Sequence, residues 1–143
     1  IDWLHVIAHH GKAYKLPEPI SGLGKWMMTH PAGRWVTGLA SPMDFNTLNW
    51  VARADQLRTP TLIIHSLEDD FVPAEPAKAL ATKNPDFVTF LPYEEGGHTR
   101  EWNVDPSRWE LAARHWLADV FSSPKPPAAR SIANLPAGSE YSV

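Results

Sequence analysis

The sequence predicts an α/β fold in which parallel strands alternate with helices, on three observations. Thr61-Leu62-Ile63-Ile64-His65 is a short, unbroken apolar run after Pro60. Its β-branched content fits a strand buried on both faces of a parallel sheet. Phe87-Val88-Thr89-Phe90-Leu91 is a second such run, set off by the turn residues Asn84-Pro85-Asp86. Helical patterns follow each run, at Pro76–Thr82 and again from Asp105-Pro106 onward. The order strand, helix, strand, helix implies parallel strands joined by crossovers.

Three stretches organise the chain. Residues 1–58 show no strand pattern and read as a helical, apolar-rich segment with many breaks. Trp3 to Tyr14 is the first helical stretch, with Leu4, Ile7 and Ala8 on one face and Gly11 near its end. Pro17, Pro19, Gly22 and Gly24 are expected to break the pattern. Leu23, Trp26, Met27 and Met28 then belong to a second short helix. Asp44 to Ala52 reads as a third, with Phe45, Leu48 and Val51 sharing a face.

Residues 59–121 carry the α/β pattern. The helix after the first strand has Pro76 in its first turn. The last helix has Asp105 as N-cap and Pro106 at its first position. Trp109, Ala112, Ala113, Trp116, Leu117 and Val120 recur at helical spacing and form one apolar stripe. Residues 122–143, rich in Ser, Pro and Ala, read as a tail without a core of its own. There is no internal repeat.

Composition excludes several function classes. A length of 143 residues fits one domain with a core, and an apolar fraction of 43% with 20% charged residues is ordinary for a globular protein. A net charge of −3 with no basic cluster carries no nucleic-acid footprint. No apolar run approaches the length of a membrane span. The absence of cysteine removes disulfides and thiolate metal sites. The start, Ile1-Asp2-Trp3, has neither an initiator Met nor a secretory pattern, and a processed or truncated beginning is expected.

Two strands alone cannot cover both faces of a parallel sheet and leave two open edges. The sheet is therefore expected to need neighbours, either copies of the chain or strands from a segment outside it.

The residues that carry chemistry sit in two loops. One follows the first strand: Ser66-Leu67-Glu68-Asp69-Asp70-Phe71-Val72-Pro73. The other follows the second: Glu94-Glu95-Gly96-Gly97-His98-Thr99. In a parallel sheet both loops leave the carboxyl edge, where open α/β sheets place their ligands. A carboxylate from the first loop can meet the imidazole of His98 and fix its tautomer, leaving the other ring nitrogen to act as a base. On the residues alone the acid is Glu68, Asp69 or Asp70, and a turn Asp is more often a cap or a solvated residue than a catalyst.

The run from Pro60 to Pro73 resembles the strand-plus-acid loop of the α/β-hydrolases, whose usual form is an apolar strand, His-Gly-x-x-Asp, then x-x-Val-Pro. His65, Val72 and Pro73 match; Ser66 departs from the usual Gly. The resemblance implies Asp69 as catalytic acid. Gly97-His98 is similar to the family's final Gly-His and implies His98 as catalytic base. The helix 105–120 resembles the family's last core helix, and residues 1–58 correspond by position to its cap or lid segment. The resemblance implies a C-terminal α/β-hydrolase segment, carboxylesterase-like in the intact enzyme, acting on a small ester-type substrate with no cofactor and no metal. Peptidase, thioesterase and lipase remain alternatives.

The family's nucleophile lies in Gly-x-Ser-x-Gly at a sharp strand-to-helix turn, ahead of the acid and the base in chain order. No serine here lies in that pattern; Ser21 has Gly22 behind it but Pro19-Ile20 before it. The chain alone is expected to lack hydrolase activity. Two alternatives stand: a non-catalytic oligomeric binding module, or the second chain of a split hydrolase.

Other candidates read more plainly. His65 is expected to be structural, bonded to nearby backbone. His5 and His9 have an i, i+4 metal-ligand spacing, but with His10 they lack a neighbouring acid. His30 and His115 are expected to be solvated or locally satisfied, and Glu94 and Glu95 to face solvent. Trp3, Trp26, Met27, Met28, Trp35 and Trp50 either pack a helical cap or line an acyl pocket. Trp102, four positions past His98, is placed to border the site.

Overall fold

The computed structural model describes residues 2–122; of the tail expected at 122–143, only Ser122 is among them. The chain divides into two units, one up to Ala52 and one from Arg53 onward.

The first unit is helical. Helix α1, Trp3–Ala13, starts where Asp2 accepts a hydrogen bond from the His5 N–H, satisfying one of the free donors at a helix start. Its buried residue is Val6, beside the face expected from Leu4, Ile7 and Ala8. Helix α2, Glu18–Thr29, runs through the stretch where a break was expected. Pro19 falls in the first turn, where no intrahelical N–H is required. Gly22 and Gly24 each cost about 1 kcal/mol of helix propensity without forbidding the geometry. A 3-10 turn at Pro31–Gly33 leads into α3, Arg34–Thr37. A Cβ at Gly33 would collide with the Met27 carbonyl, so only glycine lets this turn close against α2.

Helix α4 is Phe45–Leu48, shorter than the 44–52 stretch expected. Asp44 caps its start through the Asn46 N–H. Asn49 then accepts from the Ala52 N–H with its side chain, and this local bond replaces continued helix. Phe45 is the buried side chain of this element.

The second unit is built on strands β1, Thr61–Ser66, and β2, Val88–Tyr93. They pair in parallel, with Thr61 opposite Val88 and Ser66 opposite Tyr93. Helix α5, Glu75–Lys83, makes the crossover and packs on β2. After β2 come the short α6, Glu101–Val104, and the long α7, Pro106–Ser122. The Asp105 carboxylate accepts from the Arg108 N–H at 2.9 Å, the cap expected from the sequence.

The register sets which side chains share a face. Leu62, Ile64 and Ser66 lie beside Thr89, Leu91 and Tyr93. On this face Leu91 and Tyr93 are buried with Ala112 of α7, and Leu62, Ile64 and Trp109 pack against them. Arg108 spans the end of the core, its guanidinium carbon 4.4 Å from the Tyr93 ring centroid and its Nη2 donating to the Pro92 carbonyl. At the opposite end, buried Asn84 donates to the carbonyls of Ala54 and Leu57. Residues 53–58 are thereby drawn into this unit.

Burial on both faces of β1 is not observed. Residues 61–65 are each only partly buried, and Ser66 alone is fully enclosed. The reason is the sheet's size: β2 covers one edge of β1, and no further strand pairs with it among the described residues. An open groove of about 340 Å³ remains, lined by Leu62, Ile64, Trp109, Ala113, Trp116 and Leu117. The apolar stripe of α7 thus covers the sheet in part and faces open space in part. Within it the indole N–H of Trp116 is buried with no acceptor among the described residues.

Candidate functional site

The parallel pairing brings the loops behind β1 and β2 out at one edge of the sheet. The first begins with Leu67, whose N–H donates to the Tyr93 carbonyl at 2.7 Å. Ser66 then organises the turn: its hydroxyl accepts from the Glu68 N–H and its carbonyl from the Asp69 N–H. Ser66, which stands where the resembled motif usually has Gly, is wholly buried.

Asp69 lies inside this loop with its side chain only 2% exposed. Oδ1 accepts from the N–H groups of Phe71 at 2.9 Å and Val72 at 2.8 Å. It does not cap α5, whose start carries no side-chain cap. Oδ2 faces Nδ1 of His98 at 2.9 Å. Burial pushes the Asp69 carboxyl up, but the Val72 N–H, His98 and the Phe71 N–H outweigh it, and the group sits below the usual carboxylate range. Asp70, next in sequence, is exposed, as is Glu68.

The second loop presents the imidazole of His98. Gly96, Gly97 and Thr99 all have positive φ, at 123°, 64° and 54°. A Cβ on Gly96 would stand 2.9 Å from Cγ2 of Val104, so both conformation and space call for glycine there. This bend turns His98 back over the first loop, where its ring meets Phe71 with centroids 4.8 Å apart. The imidazole stays 40% exposed. With Nδ1–H donating to a carboxylate that only accepts, Nε2 keeps its lone pair for an incoming proton.

His65 has the structural place expected of it. Its Nε2–H donates to the Val72 carbonyl at 2.9 Å and stands 3.5 Å from Asp69 Oδ2. It therefore props the far side of the acid loop. His30 is satisfied locally, accepting from the Ala32 N–H, while His115, Glu94 and Glu95 are exposed. Among the described residues no group of three or more His, Asp or Glu stands close enough to hold a metal ion, and no helix is long and apolar enough to cross a membrane.

Two residues at the site escaped the sequence reading. The aromatic ring against His98 is that of Phe71; Trp102 sits half-exposed on α6. Glu101 accepts from the Ser66 N–H through Oε1 at 2.9 Å. Phe71 had a local signal, lying two positions past the acid, whereas nothing in the sequence pairs Glu101 with Ser66.

The chain matches no protein-family profile, no curated protein and no solved structure.

Proposed function

We propose that Asp69 and His98 are the acid and base of a Ser-His-Asp acyl-transfer site of the α/β-hydrolase type, with the serine supplied by polypeptide outside these 143 residues. The observation that carries the reading is the 2.9 Å contact between a buried, doubly anchored carboxylate and a half-exposed imidazole. The strand order supports it, because the pair stands at the carboxyl edge of parallel strands, where this chemistry is built. In this reading His98 Nε2 takes the proton from the serine hydroxyl as its oxygen attacks an ester carbonyl. The same nitrogen returns the proton to the leaving alcohol. Asp69 holds the tautomer and stabilises the imidazolium. The β1 edge and the α7 groove are where the rest of such a sheet would seat. In chain order the first unit corresponds to the cap segment, and the substrate class is carboxylic esters.

The test is active-site labelling of the native protein, recovered with an antibody against residues 59–121. A fluorophosphonate probe should label one serine in a Gly-x-Ser-x-Gly context absent from this sequence, and His98→Ala should abolish the labelling. A native protein that takes no probe, or takes it on Ser66, sinks the proposal. The open groove favours one other reading, an oligomeric binding module without chemistry; it predicts a probe-inert assembly of this chain with itself.

A further inference from the structure

Strand β1 turns its backbone groups alternately to its two sides. Thr61 donates to the Phe87 carbonyl at 2.8 Å and Leu67 to the Tyr93 carbonyl at 2.7 Å, so odd-numbered positions face β2. The N–H of Ser66 therefore points away from β2, toward the side where no strand pairs among the described residues. It belongs to a fully buried residue, and a buried donor left unpaired is costly. A side chain takes it instead: Oε1 of Glu101, 35 positions away, accepts it at 2.9 Å.

The position of Glu101 gives this bond its consequence. It is the first residue of α6, three positions past His98. Ser66 is the last residue of β1, and its hydroxyl and carbonyl accept the Glu68 and Asp69 N–H groups. One carboxylate thus ties the end of the base loop to the residue that shapes the acid loop. The base loop needs an anchor there, because three of its residues, Gly96, Gly97 and Thr99, are at positive φ.

We propose that Glu101 is a positioning residue: its hydrogen bond to the Ser66 N–H pins the 96–100 loop to the end of β1 and so keeps the His98 imidazole on Asp69. The proposal rests on reading His98 as the base, but its test needs no nucleophile.

The probe is the His98 Nδ1–H proton resonance of the full 143-residue chain, with its rate of exchange with water. Glu101→Ala should speed that exchange about tenfold, while Glu101→Gln, whose amide oxygen accepts the same bond, should stay within about twofold of wild type. Amide protection across β1 and β2 should be unchanged in both. Unchanged exchange in Glu101→Ala overturns the proposal. So does equal loss in Glu101→Gln, which would rule out the hydrogen bond as the link. Loss of β1–β2 protection in Glu101→Ala also overturns it, since Glu101 would then act on the fold. A protected wild-type resonance in a protein that takes no fluorophosphonate would remove the acyl-transfer reading and leave the tether standing.

Discussion

Oδ2 of Asp69 and Nδ1 of His98 lie 2.9 Å apart although 29 positions separate them in the chain. Parallel pairing of β1 with β2 makes this possible, because each residue sits in the loop that leaves the same edge. The carboxylate is enclosed and held by two backbone N–H groups, while the imidazole is half-exposed. That asymmetry is what a tautomer-fixing carboxylate and a proton-shuttling imidazole each require.

The neighbouring carboxylates separate this assignment from a register error. On the proposed acyl-transfer reading, Asp69→Asn in the native protein should lower kcat for an activated ester by a factor on the order of 10⁴, the scale for loss of the correct tautomer. Asp70→Ala, at an exposed position, should leave kcat within about threefold, as surface substitutions usually do. A dead Asp70→Ala with an active Asp69→Asn would place the acid one residue later.

Asp69 also sets a pH dependence of stability. Its folded-state carboxyl lies below the usual range, so the stabilisation it gives is present above the unfolded-state value. It is lost as pH falls through the lower, folded-state value. Urea midpoints of the 143-residue chain should therefore drop through the acid range. Asp69→Asn should flatten that part of the curve. An unaltered acid limb in the variant would show that other carboxylates carry it.

Much of the second unit was legible because its signals are local. A β-branched run behind a proline, turn residues before the next run, and Asp-Pro ahead of a helical stripe each fix an element from neighbours in sequence. Parallel pairing then brings the two loops to one edge; on the residues alone Glu68, Asp69 and Asp70 stayed open, and the resemblance singled out Asp69, whose carboxylate is the one that meets His98. The first unit was less legible. Pro19 marks a helix start as readily as a break, and the early end of α4 depends on the side chain of Asn49 choosing the Ala52 N–H. Glu101 on Ser66 was out of reach, because the bond joins residues 35 positions apart on the side of β1 where no strand pairs among the described residues. The same open edge explains why β1, read as doubly buried, is only partly covered.

Asn84 is the polar clasp between α5 and the segment leading into β1. Its side-chain amide serves the Ala54 and Leu57 carbonyls at 2.7 and 2.8 Å. Asn84→Ala should cost about 1–3 kcal/mol in chemical denaturation, about 0.5–1.5 kcal/mol for each of the two hydrogen bonds it removes, while the Ala54 carbonyl keeps the Leu57 N–H. The Asp69–His98 contact lies in the loops behind the two strands, so the His98 Nδ1–H resonance should persist. Its loss would mean that the clasp governs the loops as well as the fold.

Gly96 puts the 96–100 loop under two separate constraints, and they can be divided experimentally. Its φ of +123° is strained for any L side chain, and a Cβ would press on Val104 Cγ2 at 2.9 Å. Gly96→Ala should therefore destabilise the chain by about 1–3 kcal/mol and weaken the His98 resonance. Adding Val104→Ala removes the collision but leaves the dihedral strain, so the double variant should recover only part of the loss. Full recovery would assign the whole effect to crowding. No recovery would assign it to the backbone, and the bend at Gly96 would then be what aims His98 at Asp69.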